Sequence, residues 1–167
     1  LSAVDLLQQA RQRIDRIDNA GPALRTELLS LVGSSLADLT EFALAEPILR
    51  DAADEATRAL GADHPQTLHA RTVLALTHRF IGDRNEAYAE LDDLLPRLRR
   101  SPATAENLIE ALESRATVAM DLAQWDDAIA SSKEMLDVAL SRFGDGHELG
   151  RSARWSLVLS YLLAGRA

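Results

Sequence analysis

An internal repeat of about 42 residues constrains the fold of this 167-residue chain more than any other feature. Residues 40–45 align with residues 82–87 and again with residues 123–128, and the alanines that close the three segments are 42 and then 41 residues apart. A period of about 20 to 50 residues is typical of repeat proteins, in which each repeat is a small structural unit that stacks on its neighbours. We therefore expect a stacked array that forms a single domain, 1–167.

Small residues recur at a second position of the repeat. Twelve residues before each closing alanine, the sequence has Gly33, Ala75 and Ala116. Two small positions per period allow helix backbones to approach each other closely. The repeat is therefore expected to be a pair of closely packed helices.

Apolar residues between these positions are spaced three and four apart, which is the pattern of a helix buried on one face. Low aromatic content, 4%, together with abundant alanine and leucine, favours helices and nearly excludes an all-β fold. First helices are predicted at 22–39, 65–81, 102–123 and 147–164, after a lone helix at 2–18. Three apolar stripes predict the second helices: Phe42, Ala45, Leu49, Ala52, Ala53 and Ala56; Ala87, Leu91, Leu94 and Leu98; and Ile129, Met135, Leu136, Ala139 and Leu140.

Turn residues separate the predicted helices. Gly61 can end one helix in the left-handed conformation, Asp63 can cap the next, and Pro65 suits a first helical turn. The Ser-Pro pair at 101–102 repeats the cap-and-proline pattern, and Gly82 marks the turn inside a pair. These signals predict an N-terminal helix at 1–20, repeats at 22–60, 64–100 and 102–143, and an incomplete repeat at 147–167.

Two prolines conflict with the helical pattern, because a proline inside a helix forfeits a hydrogen bond and clashes with the carbonyl four residues back. Pro96 is expected to kink or shorten its helix. Pro47 lies close enough to a helix start to be accommodated with a bend.

The connector at 60–68, Leu-Gly-Ala-Asp-His-Pro-Gln-Thr-Leu, is the most specific motif in the chain. With the helix pairs and small residues, it resembles the tetratricopeptide repeat family, most closely the long-repeat subtype of kinesin light chains and many bacterial signalling proteins. The resemblance covers residues 22–167. It departs from the family pattern at Arg84, which replaces an aromatic residue, at Thr40 and Ala123, which replace the turn glycine, and at 99–102, where the connector signature is lost.

This resemblance implies a right-handed α-solenoid of stacked antiparallel helix pairs, whose first helices line a concave groove for a peptide or protein segment. Arg79 and Trp155 are expected to contribute most to binding, because Arg and Trp dominate hot spots. Each has a structural alternative: Trp155 packed between helices, and Arg79 paired with a carboxylate. The groove-facing residues that the resemblance implies are Glu27, Ser34, Asp38, His69, Thr72, Leu76, Arg79, Glu113, Thr117, Met120, Trp155 and Leu159.

The N-terminal stretch at 5–14, followed by residues 22–25, is similar to segments that open repeat arrays behind bacterial Ser/Thr protein kinase domains. This similarity implies a regulatory or docking part of a larger bacterial signalling protein, and the chain, which starts without Met, is expected to be a piece of it. The alternatives are an intramolecular regulatory domain and an oligomerisation module of a transcriptional or ATPase regulator.

Charge and composition argue against other partners. A formal charge of −8 opposes nucleic-acid binding. No apolar run approaches the ~20 residues that span a bilayer, and the absence of cysteine fits a reducing cytoplasm.

A small enzyme is the less favoured alternative, because the catalytic motifs that we considered are incomplete. The residues 144–150 follow a predicted helix where a dinucleotide fingerprint needs a strand. His147-Glu148 has Arg151 where a zinc motif needs a second histidine. We therefore expect no catalytic residue, cofactor or metal, and we expect surface or capping roles for the histidines.

The predicted last helix is apolar nearly all round, so it needs partners on more than one face. Terminal repeats normally carry a polar cap. We therefore predict self-association through residues 152–164, which include Trp155, Leu157, Val158, Leu159, Tyr161, Leu162 and Leu163.

Overall fold

Eight α-helices and no strand make up the part of the chain that the computed structural model describes, residues 1–17, 21–100 and 105–166. The predicted all-α fold is therefore confirmed. Two compact units divide the helices, Leu1–Asp83 with the first four and Arg84–Ala167 with the last four. The helices are α1 (Ala3–Ile14), α2 (Pro22–Asp38), α3 (Phe42–Leu60), α4 (Pro65–Ile81), α5 (Arg84–Arg100), α6 (Ala105–Asp121), α7 (Trp125–Phe143) and α8 (Glu148–Leu163).

Helix α1 begins at a capping box and is tied to the helices beside it. The Ser2 hydroxyl accepts a hydrogen bond from the Asp5 amide at 3.1 Å, and the Asp5 carboxylate accepts one from the Ser2 amide at 2.8 Å. At its other end α1 stops at Ile14, earlier than the predicted end at residue 18, which lies outside the described residues. Arg25 of α2 donates to the Ile14 carbonyl at 2.8 Å and thereby fixes this end.

In the first unit, α3 packs between α2 and α4, and α1 packs on α2. The small residue predicted for close approach, Gly33, is buried against Leu49 of α3. Because Gly33 has no side chain, the backbone of α2 meets the Leu49 side chain directly. One buried apolar cluster of this unit is formed by Ile14, Leu29, Val32, Leu36, Ala45, Ile48, Leu49, Ala52, Ala53, Ala70 and Leu74.

In the second unit, α6 packs against α5 and α7, and α8 packs against α7 and touches α6. The small residue Ala116 is fully buried on α6. A buried serine cluster joins α7 to α8: the Ser132 hydroxyl lies 2.9 Å from that of Ser156 and 3.0 Å from that of Ser160. These small polar side chains satisfy one another inside the interface, so the two helices pack closely without an orphaned hydroxyl among the three.

The turn inside each helix pair has the same hydrogen-bond pattern, in which an amide beyond the helix returns to a carbonyl five residues earlier. Glu41 donates to Leu36 at 2.9 Å, Asp83 to His78 at 3.0 Å, and Gln124 to Ala119 at 2.8 Å. The residue before each donor has a positive φ: 63° for Thr40, 103° for Gly82 and 57° for Ala123. Thr40 and Ala123 therefore adopt the left-handed conformation that glycine adopts at the middle turn.

The two connectors that the structure describes between helix pairs, before α4 and before α8, each end in a histidine cap. Gly61 and Gly144, with φ of 94° and 85°, end their helices. The Nδ1 atom of His64 then accepts a hydrogen bond from the Gln66 amide at 3.3 Å, and His147 caps α8 in the same way. The sequence-based assignment of the cap to Asp63 was wrong, because the cap is His64, the residue directly before the first helical residue, Pro65.

Neither internal proline ends its helix. Helix α5 continues four residues past Pro96, to Arg100, and α3 continues past Pro47 to Leu60. The expected shortening at Pro96 does not occur: Leu94, Leu95 and Leu98, on both sides of it, are buried, and α5 packs on α6. The Ser-Pro pair at 101–102 lies outside the described residues.

Candidate protein-binding surfaces

Six of the residues implied for binding in the first unit lie on α2 and α4 and are exposed or half-buried. Glu27 and Asp38 are exposed on α2, where Ser34 is half-buried. Half-buried residues on α4 are His69, Leu76 and Arg79. These two helices therefore combine exposed carboxylates with partly covered side chains.

Thr72 does not belong to that set. Its exposed fraction is 0%, and its hydroxyl donates to the Leu68 carbonyl at 2.9 Å. A side chain with no accessible surface cannot contact a partner, so the groove-facing role predicted for Thr72 was wrong. The family resemblance, which implied this position, does not carry the burial of the side chain in this chain.

Arg79 has an aromatic neighbour. Its guanidinium carbon lies 4.8 Å from the ring centroid of Phe80, within the range of a cation–π contact. Phe80 in turn stacks on Phe42 of α3 with ring centroids 4.5 Å apart. The C-terminal end of α4 thus has a small aromatic patch beside a cation.

In the second unit, two contacts orient α8 against α6. The Ser152 hydroxyl donates to Glu113 at 3.1 Å, and the Ser160 hydroxyl points to the Met120 sulfur at 3.9 Å. Glu113 is exposed, while Met120 is half-buried. Both therefore lie beside α8, and Thr117, half-buried, lies between them along α6.

Trp155 lies on the exposed side of α8. It is 68% exposed, so it is not packed between helices, the structural alternative that the sequence left open. Leu159, one turn along, is half-buried. An indole with this much exposed surface is the strongest single candidate contact in the unit.

Helix α8 also carries an apolar face toward solvent. Of the residues predicted to be apolar all round this helix, Leu157, Leu159 and Tyr161 are half-buried. The large apolar residues that remain exposed are Trp155, Val158, Leu162 and Leu163.

A polar cluster at Arg115 joins three helices of the second unit. Its guanidinium donates to Asp92 of α5 at 2.6 Å, to the Tyr88 hydroxyl at 2.7 Å and to Ser131 of α7 at 2.7 Å. Burial first, and then the Asp127 and Asp92 carboxylates, raise the pKa of Tyr88 to about 12, although Arg115 opposes the shift. Because the guanidinium donors of Arg115 are hydrogen-bonded to other side chains of the protein, we interpret the cluster as structural.

The histidines have two kinds of surroundings. His64 and His147 cap helices, as expected of this residue type. His78 was expected at a surface or a cap, but it is only 1% exposed, so that expectation was wrong. Its Nε2 atom lies 3.4 Å from the guanidinium of Arg50 and 3.6 Å from the carboxylate of Glu46. Both residues lie on α3, far from His78 in the sequence, so the sequence pattern did not reveal these contacts.

Sequence reasoning missed one surface, an apolar groove between α1 and α2. Leu6, Ile17 and Leu31 are large apolar residues left exposed along it. Their occurrence on two consecutive helices, α1 and α2, and just after α1 was a usable signal, because these leucines and isoleucine do not belong to the predicted core stripes. As for membranes, none of the helices in the described ranges is both long and apolar enough to cross a bilayer.

Comparisons with known proteins agree with this architecture. Residues 24–100 match the sequence model of the tetratricopeptide repeat. No curated protein matches the chain. A crystal structure from Podosopora anserina, described as a kinesin light chain with nearly identical TPR-like repeats, superposes with a TM-score of 0.78 at 16% identity, covering 98% of this chain and 78% of that one.

A second solved structure, BtubC (BKLC) from P. vanneervenii, also has a TM-score of 0.78 at 16% identity and covers 97% of this chain and 67% of that one. The fold is thus that of a protein–protein interaction module, a class that is typically non-catalytic. The match to the tetratricopeptide repeat thus covers residues 24–100, and the neighbours in fold are kinesin light chain-like repeat proteins.

Proposed function

We propose that the chain is a non-catalytic module that binds a peptide or protein segment on the surfaces of its first helices. The observation that carries this proposal is the 68% exposure of Trp155 on α8, a helix that contacts α6 through the hydrogen bond from Ser152 to Glu113. Large aromatic side chains are enriched at binding hot spots and are costly to leave in water. In each unit the remaining implied residues except Thr72 belong to that unit's own proposed surface, within the predicted repeats at 22–60, 64–100, 102–143 and 147–167.

The expected partner segment is basic and apolar. Glu27 and Asp38 place exposed carboxylates on the proposed surface of the first unit, and Glu113 places one on that of the second. The chain as a whole has a formal charge of −8. Complementary charge steers encounter and favours a correct partner over others. Trp155 and Leu159 would supply the apolar contacts.

A peptide-display selection against the intact chain tests this function. Selected peptides are expected to be rich in Lys or Arg with interspersed apolar residues. Trp155→Ala and Glu113→Lys should each weaken binding about tenfold or more, the loss of a hot spot. Asp137→Lys, a charge reversal at an exposed residue of α7, serves as the control and should change affinity little. Peptides whose affinity ignores Trp155 and Glu113 would contradict the proposal.

The biological setting that we propose is a regulatory or docking part of a larger bacterial signalling protein, such as a Ser/Thr kinase, in the cytoplasm. The similarity of residues 5–14 to segments behind kinase domains supports it. An intramolecular regulatory role, in which another segment of the parent chain occupies the surface, is the alternative. A kinase domain encoded in frame upstream of Leu1 would support this setting, and a start codon directly before Leu1 would contradict it.

A further inference from the structure

Helices α1 and α2 leave an open groove along their contact. Its volume is about 460 Å³. The side chains in its wall come from both helices and, at one position, from the turn after α1: Leu6, Leu7, Gln9, Ala10, Arg13, Ile14, Ile17, Leu28, Leu31, Val32 and Ser35. Most of these side chains are apolar, yet Leu31 is 63% and Leu6 53% exposed to water.

Ion pairs of two arginines outside the groove wall fix the position of α1. Arg25 donates to Asp15 and to Glu55, each at 2.8 Å, as well as to the backbone of α1. Arg11 donates to Asp51 of α3 at 2.6 Å. Because these bonds fix α1 against α2 and α3, the groove exists before anything binds, and little ordering is needed at binding.

One charged side chain lies in the groove wall, Arg13. In the part of the chain that the structure describes, no carboxylate pairs with it, whereas Arg11 and Arg25, behind the groove, each pair with two. The wall residues named above include no carboxylate. Arg13, which pairs with no carboxylate of the described residues, therefore gives the groove a positive charge that is complementary to an acidic partner.

We propose that the α1–α2 groove docks an amphipathic helix of a partner protein that carries an acidic residue beside its apolar stripe. The α1 part of the wall runs from Leu6 to Ile14, about 12 Å at the helical rise of 1.5 Å per residue, which suits two turns of a docked helix. Apolar side chains of that helix fill the space between Leu6 and Leu31, and its carboxylate pairs with Arg13. This surface lies outside the first-helix residues of the proposed function, and the two do not depend on each other.

Two synthetic helical peptides test the inference on the full chain. Both carry leucines at positions i, i+3, i+4 and i+7; one has glutamate flanking this stripe and the other has lysine. Fluorescence anisotropy should give the glutamate peptide at least tenfold the affinity of the lysine peptide. Arg13→Glu should reverse this preference, and Leu31→Asp should weaken both peptides.

Two variants serve as controls. Arg16→Glu changes an exposed arginine three residues after Arg13 that is outside the wall, and Leu162→Asp changes an exposed leucine of α8. Neither should alter the affinity by more than twofold, and circular dichroism of each variant checks that the helices are retained. Equal affinity for the two peptides, or a preference that survives Arg13→Glu, would overturn the proposal. So would a dimer that Leu31→Asp dissociates, since the occupant would then be a second copy of the chain.

Discussion

Gly33 and Leu49 are in direct contact where α2 crosses α3, and the geometry leaves no room for a larger residue at the first position. A Cβ atom on Gly33 would lie 2.6 Å from both Cγ and Cδ2 of Leu49. Leu49 is fully buried, so its side chain cannot move away cheaply. This contact fixes how closely the first pair of helices packs.

Replacing Gly33 with alanine is therefore expected to destabilise the protein by about 1 to 2 kcal/mol, because overpacking outweighs the gain in helix propensity. Urea unfolding followed by circular dichroism measures this change. In a Leu49→Ala background the same substitution should become neutral or stabilising.

Gly150→Ala provides a matched control for that experiment. A Cβ at Gly150 would meet its nearest atoms at 3.6 Å, an ordinary van der Waals distance. Its substitution should stabilise α8 by up to about 1 kcal/mol. Equal effects of the two alanine substitutions would show that the Gly33–Leu49 contact does not limit packing.

Thr40 and Ala123 are expected to be sites where glycine stabilises the protein. Both are exposed and hold a left-handed conformation, which costs about 1 to 2 kcal/mol for a residue with a Cβ. Glycine also increases the conformational entropy of the unfolded chain, which offsets part of this gain. Each change to glycine should therefore add roughly 0.5 to 1 kcal/mol to the free energy of unfolding. Thermal and urea unfolding of the two variants measure it.

The reverse substitution, Gly82→Ala, is the control. No atom lies within 4 Å of the added Cβ, so only the backbone conformation is tested. A loss of about 1 kcal/mol is expected. If Gly82→Ala were harmless and Thr40→Gly destabilising, strain at these turns would not be the cause.

Tyr88 should titrate abnormally, with a pKa of about 12 caused by burial and by nearby Asp127 and Asp92. Between about pH 10 and 12 the unfolded chain releases a proton that the folded chain retains, so the free energy of unfolding falls as pH rises. The Tyr161→Phe variant leaves Tyr88 as the only tyrosine. Its ultraviolet absorbance should give the midpoint directly.

Tyr88→Phe is the companion variant. It should lose less stability over that pH interval than the parent protein, because the titrating group is gone. A midpoint near 10 for Tyr88 would show that its hydroxyl is not buried beside Asp127 and Asp92 in solution.

The exposed apolar face of α8 is expected to support self-association through residues 152–164. Trp155 and Leu162, at 68% and 63% exposure, are its most exposed side chains. Light scattering should show a mass that increases with concentration, and Trp155→Arg with Leu162→Asp should keep the chain monomeric. A monomer at all concentrations would count against this prediction. Leu31→Asp is the control, because it changes an exposed leucine of the other unit.

Local features of this fold were readable from the sequence because they depend on neighbours along the chain. Helical periodicity placed the apolar stripes, and small residues such as Gly33 marked close crossings. Gly61 and Gly82 marked helix ends, because their positive φ angles suit a residue without a Cβ. The cap at His64 was missed by one residue, since Asp63 and His64 can both accept the amide bond.

The surfaces depended on contacts between distant residues. The burial of Thr72 and His78, the exposure of Trp155 and the Arg115 cluster all follow from which helix faces pack together. Helical spacing alone shows which residues share a face of a helix, but it does not show which other helix covers that face. Arg13 is the clearest case, because it pairs with no carboxylate in the described part of the chain, although Asp15 lies only two residues away in sequence. Asp15 pairs instead with Arg11 and Arg25.

The amino-acid sequence by itself determined the repeat, the helix pairs and the turns, because backbone hydrogen bonding and amphipathic spacing act over a few residues. Only the tertiary structure decided which side chains remain available to a partner. The exposed surface of a side chain depends on which helices, often far apart in sequence, pack against it. A local sequence pattern does not contain that information.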